Sequence, residues 1–309
     1  MSQSTEPSAP VEAAPGHHMA AELASQPDLW EQAIAQTGSE RLLPADGRRV
    51  AVIGCGTSWF MAQAYAAARE AAGKGETDAF AASEASVLAT RSYDSIVAIT
   101  RSGTTSEVLS VLSQVKGRTP TVVLLGDTGS PATGLADAVV GLPYADESSV
   151  VQTRFATTAL VYLLTTLGED LTSAVADARS VLQGATDREL LDAEQFSFLG
   201  TGWTVGLAHE AALKMREGVQ GWTESYPAME YRHGPIAIAA PGRVTWSFGD
   251  APAGLDAEVA ATGASFINSG LHPLAELVRV HKVTLERALA RGLNPDVPRN
   301  LSRSVILEG

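Results

Sequence analysis

A chain of 309 residues, 45% hydrophobic and 18% charged, carries enough apolar material for one large domain or two of ordinary size. Its formal net charge of −13 argues against general nucleic-acid binding, which needs a basic surface to meet the phosphate backbone, and no apolar run approaches the length of a membrane span. The single cysteine, Cys55, excludes an intrachain disulfide and suits a reducing cytoplasm.

The start, Met1 to Pro15, is rich in Ser, Pro, Ala and Glu and has neither the basic start nor the apolar core of a signal peptide; residues 1–16 read as a flexible tail that includes none of the fold. His17 and His18 fall at its end. Residues 17–38 read as helical, with Met19, Leu23, Leu29, Trp30 and Ile34 as buried positions and Pro27 marking the start of a second helical piece. The run Val50 to Ile53 is apolar throughout, which fits a parallel strand covered on both faces. It feeds Gly54-Cys-Gly-Thr-Ser58 and an alanine-rich helix to about Ala72, half of a βαβ unit. A short strand follows at 79–82. The pattern then recurs with a strand at 95–99, a loop at 100–105, a helix at 106–115, a strand at 121–125 and a weak one at 138–140. Residues 150–182 read as helical with a break near Gly168. A second round begins at Phe196, with a strand to Leu199, the Gly200-Thr-Gly202 turn, a long helix, and a loop from Glu224 to Pro235. Strands at 243–247 and 264–267, a helix at 273–291 and an irregular end complete it.

Two rounds of strand, turn and helix predict an α/β protein made of two doubly wound parallel sheets flanked by helices. We place the first subdomain at 17–185 and the second at 186–309.

In such folds ligands bind beyond the carboxyl ends of the strands. The loop Thr100-Arg-Ser-Gly-Thr-Thr105 puts four hydroxyls in six residues just ahead of a helix, where free N–H groups and the helix dipole favour an anion. A phosphate monoester fits, with Ser102 and Thr105 as side-chain donors; an ordinary N-cap would use the same residue types. The turn at Gly54 is not a dinucleotide fingerprint, because Trp59 stands where a third glycine belongs. Cys55 reads as a buried small apolar residue rather than a nucleophile. On the second-round helix, Glu210, Lys214 and Glu217 share one stripe, a spacing usually found on a solvated face. The six histidines show no metal-ligand spacing, so no metal site and no cofactor is expected.

Together these residues resemble the sugar isomerase (SIS) family, and within it the isomerase domain of glucosamine-6-phosphate synthase and its stand-alone relatives. The matching pieces are Gly54-Cys-Gly-Thr-Ser58, Ser102-Gly-x-Thr105, Glu210-x-Ala-Leu-Lys214-x-x-Glu217, Glu230-x-x-His233-Gly-Pro235 and Pro298-Arg-Asn-Leu-x-x-Ser304-Val; Glu22-Leu-x-x-Gln-Pro27 is similar to the segment that precedes the isomerase domain. The resemblance implies two SIS subdomains and a sugar 6-phosphate contacted by Thr57, Ser58, Thr100, Arg101, Ser102 and Thr105, with Val150 lining the substrate. It implies Glu217 as the base moving a proton between C1 and C2, Lys214 beside it, and His233 opening the sugar ring from the other subunit of a homodimer.

Three departures stand out. A glutaminase domain with an N-terminal cysteine has no place in the sequence, so the chain is expected not to make ammonia from glutamine. Arg101 and Thr104 replace the family's Gln and Glu in the phosphate loop, and Arg101 could add a bidentate phosphate contact or select a substrate with an extra acidic group. Arg303 stands where the synthase has a Schiff-base lysine, and an arginine is a poor imine nucleophile. The implied activity is isomerase-deaminase or deglycase on a 6-phosphorylated amino sugar or sugar-amine adduct. A simple aldose-ketose isomerase and a non-catalytic sugar-phosphate sensor are the alternatives.

Overall fold

The computed structural model describes residues 13–36 and 38–307. The expected tail at 1–16 lies outside those residues as far as position 12. Gly16 is tied down, its N–H donating to Asn294 Oδ1 at 3.0 Å. His17 and His18, expected at the end of that tail, instead open the first helix, α1 (His17–Ala35).

In the first half, β1 (Val50–Gly54) leads to α2 (Thr57–Ala71), β2 (Thr77–Ala81), β3 (Ser95–Thr100), α3 (Ser106–Val115), β4 (Thr121–Leu125), α4 (Ala132–Leu135) and β5 (Ala138–Gly141). Helices α5 (Arg154–Thr166), α6 (Thr172–Gln183) and α7 (Arg188–Asp192) form the bridge. The second half runs β6 (Gln195–Gly200), α8 (Thr204–Val219), β7 (Trp222–Pro227), β8 (Arg243–Phe248), α9 (Leu255–Ala261), β9 (Ser265–Ile267) and α10 (Pro273–Ala290).

The two sheets are wholly parallel, with strand orders β2-β1-β3-β4-β5 and β7-β6-β8-β9. The second order repeats the first without its last strand. Strands β1, β3, β4 and β6 are buried at every position, as the apolar run Val50–Ile53 predicts for β1. One continuous core joins the halves, from Met19 and Trp30 on α1 through Phe155 on α5 to Phe198 on β6 and Leu277 on α10. Helix α8 meets α2, α10, β6 and β7, so it is enclosed on nearly all sides. A Cβ at Gly206 would come 2.4 Å from Phe60 O, so glycine is what lets α8 approach α2.

Two expectations need correction. Pro27 does not divide α1; the helix runs through it. A proline there forfeits one backbone bond and crowds the preceding turn. The burial of Met19, Leu23, Trp30 and Ala33 and the anchoring of Gln26, whose Oε1 accepts from Thr157 Oγ1 at 2.8 Å, hold the helix across the defect. The segment expected as a loop from Glu224 begins as β7, the edge strand of the second sheet, and continues as two short 3₁₀ turns at 228–233 and 235–238. Among the described residues no helix is long and apolar enough to cross a membrane.

Candidate active site

In the first sheet the strand order reverses between β1 and β3, the switch point at which open α/β sheets hold ligands. A cavity of about 190 Å³ lies there. Its floor is the turn after β1 (Cys55 to Ser58) and the loop after β3 (Thr100, Arg101, Ser102 and Thr105). Val150 and Gln152 form one wall, Glu217 comes in from α8, and residues 301–305 cross it as a strap.

Backbone geometry fixes the floor. A Cβ at Gly54 would stand 2.6 Å from Ser58 C, so only glycine allows the strand end to pass so close to the start of α2. Gly103 has φ of +62°, and a Cβ there would run into Ser130. The hydroxyls converge: Thr104 Oγ1 donates to Ser102 Oγ at 3.0 Å, and Gly103 N–H is held by Thr100 Oγ1 at 3.2 Å. Thr57, Ser58, Thr100, Arg101 and Ser102 are all buried.

Arg101 takes a place that its residue type did not announce. Its Nη1 donates to Ser149 O at 2.8 Å and its Nη2 to Arg303 O at 2.6 Å, while Nε has no partner. Burial pulls its pKa below the ordinary arginine value, yet a guanidinium stays charged over the working pH range. Arg303 turns outward from the strap, pairing with Asp146 Oδ1 at 2.5 Å and donating from Nε to Glu147 O at 3.1 Å. Glu147 in turn caps α5, accepting from the N–H groups of Thr153 (2.6 Å) and Arg154 (2.8 Å).

The charged stripe on α8 is not a solvated face. Glu210 and Lys214 are fully buried and Glu217 is partly open. Lys214 Nζ lies 2.5 Å from Glu217 Oε2 and 3.5 Å from Glu210 Oε1. Burial opposes the lysine's charge, but the two carboxyl groups outweigh it and hold its pKa above the ordinary value. The nearer carboxylate takes the ion pair. Glu210, whose two oxygens have no hydrogen-bond partner, is pushed up to about 8 by complete burial against the pull of Lys214. The stripe therefore holds one close ion pair facing the cavity and one carboxyl that is mostly protonated at neutral pH.

Of the residues expected at the site, Thr57, Ser58, Thr100, Arg101, Ser102, Thr105, Val150, Glu217 and Arg303 line this one cavity. Lys214 sits directly behind Glu217. His233 does not reach the cavity of its own chain; it is exposed at the end of the 228–233 turn. Cys55 is half-buried rather than buried, and burial together with Glu107 pushes its thiol up to about 11, which leaves it an inert wall residue. Sequence reasoning missed Gln152, whose buried Oε1 has no partner, and Ser304, which lay inside a recognised motif without a role assigned to it. Among the described residues no group of three or more His, Cys, Asp or Glu could hold a metal ion.

The family model of the SIS domain matches residues 45–167. The chain is 29% identical over 94% of its length to a glutamine–fructose-6-phosphate aminotransferase (isomerizing) of Pyrococcus horikoshii, and 29% identical over 94% to that of Gloeobacter violaceus. It spans 58% and 59% of those two proteins. Among solved structures, a glucosamine-6-phosphate deaminase from Thermotoga maritima superposes with a TM-score of 0.80 at 22% identity, over 94% of this chain and all of that one. A tagatose-6-phosphate ketose/aldose isomerase from Escherichia coli superposes with a TM-score of 0.77 at 16% identity, over 97% and 99%. The cavity at the β1–β3 switch point lies within and beside the segment that matches the SIS domain.

Proposed function

We propose that this chain is a sugar-phosphate isomerase-deaminase that acts on a 6-phosphorylated amino sugar by moving a proton between C1 and C2. The observation that carries the reading is the meeting of two elements from different halves. The hydroxyl-rich loop after β3 and the carboxylate of Glu217 on α8 face one small cavity.

The phosphate would sit over the start of α3 with Ser102, Thr105, Thr57 and Ser58 as donors, and with the guanidinium of Arg101 adding positive charge. This places the sugar's reacting end toward Glu217. As a 2-amino aldehyde, the opened sugar loses its C2 proton to Glu217 and becomes an enaminol. Return of the proton at C1 gives the C2 imine, and water adds there as ammonia leaves. Lys214, 2.5 Å from Glu217 Oε2, holds that carboxylate in place beside the cavity. None of the cavity's lining residues is a lysine, so the imine is formed by the substrate's own nitrogen and not by the protein. His233 serves ring opening from the second subunit of a homodimer, which accounts for its exposure on its own chain. The protein works in the cytoplasm.

The size of the cavity favours a free amino sugar over a long sugar-amine adduct. At about 190 Å³ it is smaller than the ~300–1,000 Å³ of typical ligand pockets. The test is an assay of released amine and of isomerised sugar on a panel of 6-phosphates: glucosamine, fructosamine-lysine adducts, and fructose with ammonia. Amine release from glucosamine 6-phosphate that disappears in Glu217→Gln is the expected result. Isomerisation without amine release supports the plain aldose-ketose isomerase instead. Binding without turnover of any member contradicts an enzyme and supports a sensor.

A further inference from the structure

The segment after α10 does not hang free. From Leu301 to Leu307 it lies along the mouth of the cavity and is bonded to the phosphate loop at successive positions. Arg101 Nη2 donates to Arg303 O at 2.6 Å, Ser106 N–H donates to Val305 O at 3.2 Å, and Leu307 N–H donates to Ser106 Oγ at 2.9 Å. Between these, Ser304 Oγ enters the hydroxyl cluster. It lies 3.2 Å from Ser102 Oγ, 3.0 Å from Thr104 Oγ1 and 3.3 Å from Thr105 Oγ1. Four hydroxyls from two distant parts of the sequence thus share one another's protons. The same four can turn toward an anion placed among them.

Arg101 is the piece that fixes the strap. With Nη1 on Ser149 O and Nη2 on Arg303 O, its planar fork ties the wall of the cavity to the strap from a buried position. A cavity remains beneath the docked strap, with Ser304 among its lining residues beside Ser102, Thr105 and Thr57. The strap therefore adds to the anion site rather than filling it.

We propose that Ser304 is a phosphate-binding residue supplied by the C-terminal strap, and that Arg101 is the positioning residue that holds the strap where Ser304 can bind. This rests on the reading of the cavity as a phosphosugar site and adds a linkage to it: the phosphate and the docked strap stabilise each other. Arg101 acts through the two carbonyls it spans, and its contribution depends on the shape of the guanidinium as well as on its charge.

The experiment uses the full chain, with inorganic phosphate as the probe and glucosamine 6-phosphate as a second ligand. Binding is measured by titration calorimetry, and strap docking by amide hydrogen exchange over residues 301–307. In the wild type, phosphate slows exchange across the strap. Ser304→Ala, at a site that contributes nothing to the core, weakens phosphate binding by about tenfold to a hundredfold, the loss expected for one hydrogen bond to a charged group. Arg101→Gln speeds exchange in the strap without ligand and weakens phosphate by at least as much. Arg101→Lys is decisive. A single ammonium keeps the charge but cannot span both carbonyls, so its strap exchanges as fast as in Arg101→Gln and its phosphate affinity stays below that of the wild type. The proposal is overturned if Arg101→Lys restores wild-type affinity, if Ser304→Ala binds as the wild type does, or if phosphate speeds exchange of the strap by competing with it. Phosphate binding to the wild type with no response in the strap overturns the linkage and leaves the phosphosugar reading standing. No binding of either ligand to the wild type overturns both.

Discussion

Glu217 and Glu210 lie on one helix and one stripe, and their surroundings separate them. Glu217 opens on the cavity and keeps its lysine at 2.5 Å; Glu210 is fully buried, with the same lysine 3.5 Å away. Replacing Glu217 by Gln keeps the shape and removes the proposed proton acceptor. Turnover is then expected to fall by about 10²–10⁴-fold with phosphate affinity unchanged, a split that steady-state kinetics and phosphate titration read directly. The sequence made the cavity residues legible where polar groups are concentrated in short runs. Four hydroxyls before a helix, and a carboxylate-lysine-carboxylate spacing, are visible without a structure. Which of those charges meets solvent was not visible. The i, i+4, i+7 row is the same whether a helix faces water or another helix, and the enclosure of α8 by α2, α10, β6 and β7 decides it. Gln152 and Ser304 were illegible for a different reason, since neither residue type is unusual and their importance comes from where distant segments cross.

The elements around the cavity are held by specific ends and contacts. Glu147 takes the place of an ordinary N-cap for α5, its two carboxyl oxygens receiving three backbone N–H groups and the Thr153 hydroxyl. Glu147→Ala is expected to cost about 1–2 kcal/mol of stability in chemical unfolding, the upper part of the range for a lost cap. Gly206→Ala forces a Cβ against Phe60 O, and α2 and α8 must separate to admit it. A loss of about 1–3 kcal/mol follows, with a weaker phosphate affinity because α2 carries Thr57 and Ser58. Most strands were legible from continuous apolar runs bounded by glycine. β7 was not, because Glu224, Ser225 and Pro227 break any such run; as an edge strand it pairs only with β6 and carries less of the core. Pro27 misled in the opposite direction, since local propensity yields where a helix is gripped by tertiary packing.

For the molecule as a whole, two sheets of matching strand order share one core, and the polar groups buried in that core set its response to pH. Glu22 is pushed up to about 7 by burial and the nearby Glu147, and Glu210 to about 8 by burial. Each holds a proton in the folded chain that it has lost in the unfolded chain above its ordinary carboxylate pKa, so each contributes stability that is lost as pH rises through its folded value. His281 is held down to about 3 by burial and Lys214, so it favours the folded state as pH rises toward 6.5 and is neutral beyond it. Between about pH 6.5 and 8 the carboxyl groups act alone, and the unfolding midpoint is expected to fall across that window. Glu210→Gln removes the larger part of this slope; an unchanged slope in that variant contradicts the assignment. The duplication itself was legible from the repeated strand-turn-helix order.

The central claim is that Glu217 exchanges a proton with a sugar phosphate held by the loop at 100–105. Incubation with glucosamine 6-phosphate and with fructose 6-phosphate in heavy water, followed by proton NMR at C1 and C2, tests it directly. The account predicts that the wild type washes solvent deuterium into those positions, while Glu217→Gln and Ser102→Ala do so at least about a hundredfold more slowly. Exchange at an undiminished rate in Glu217→Gln, or none in the wild type with either sugar phosphate, would contradict it.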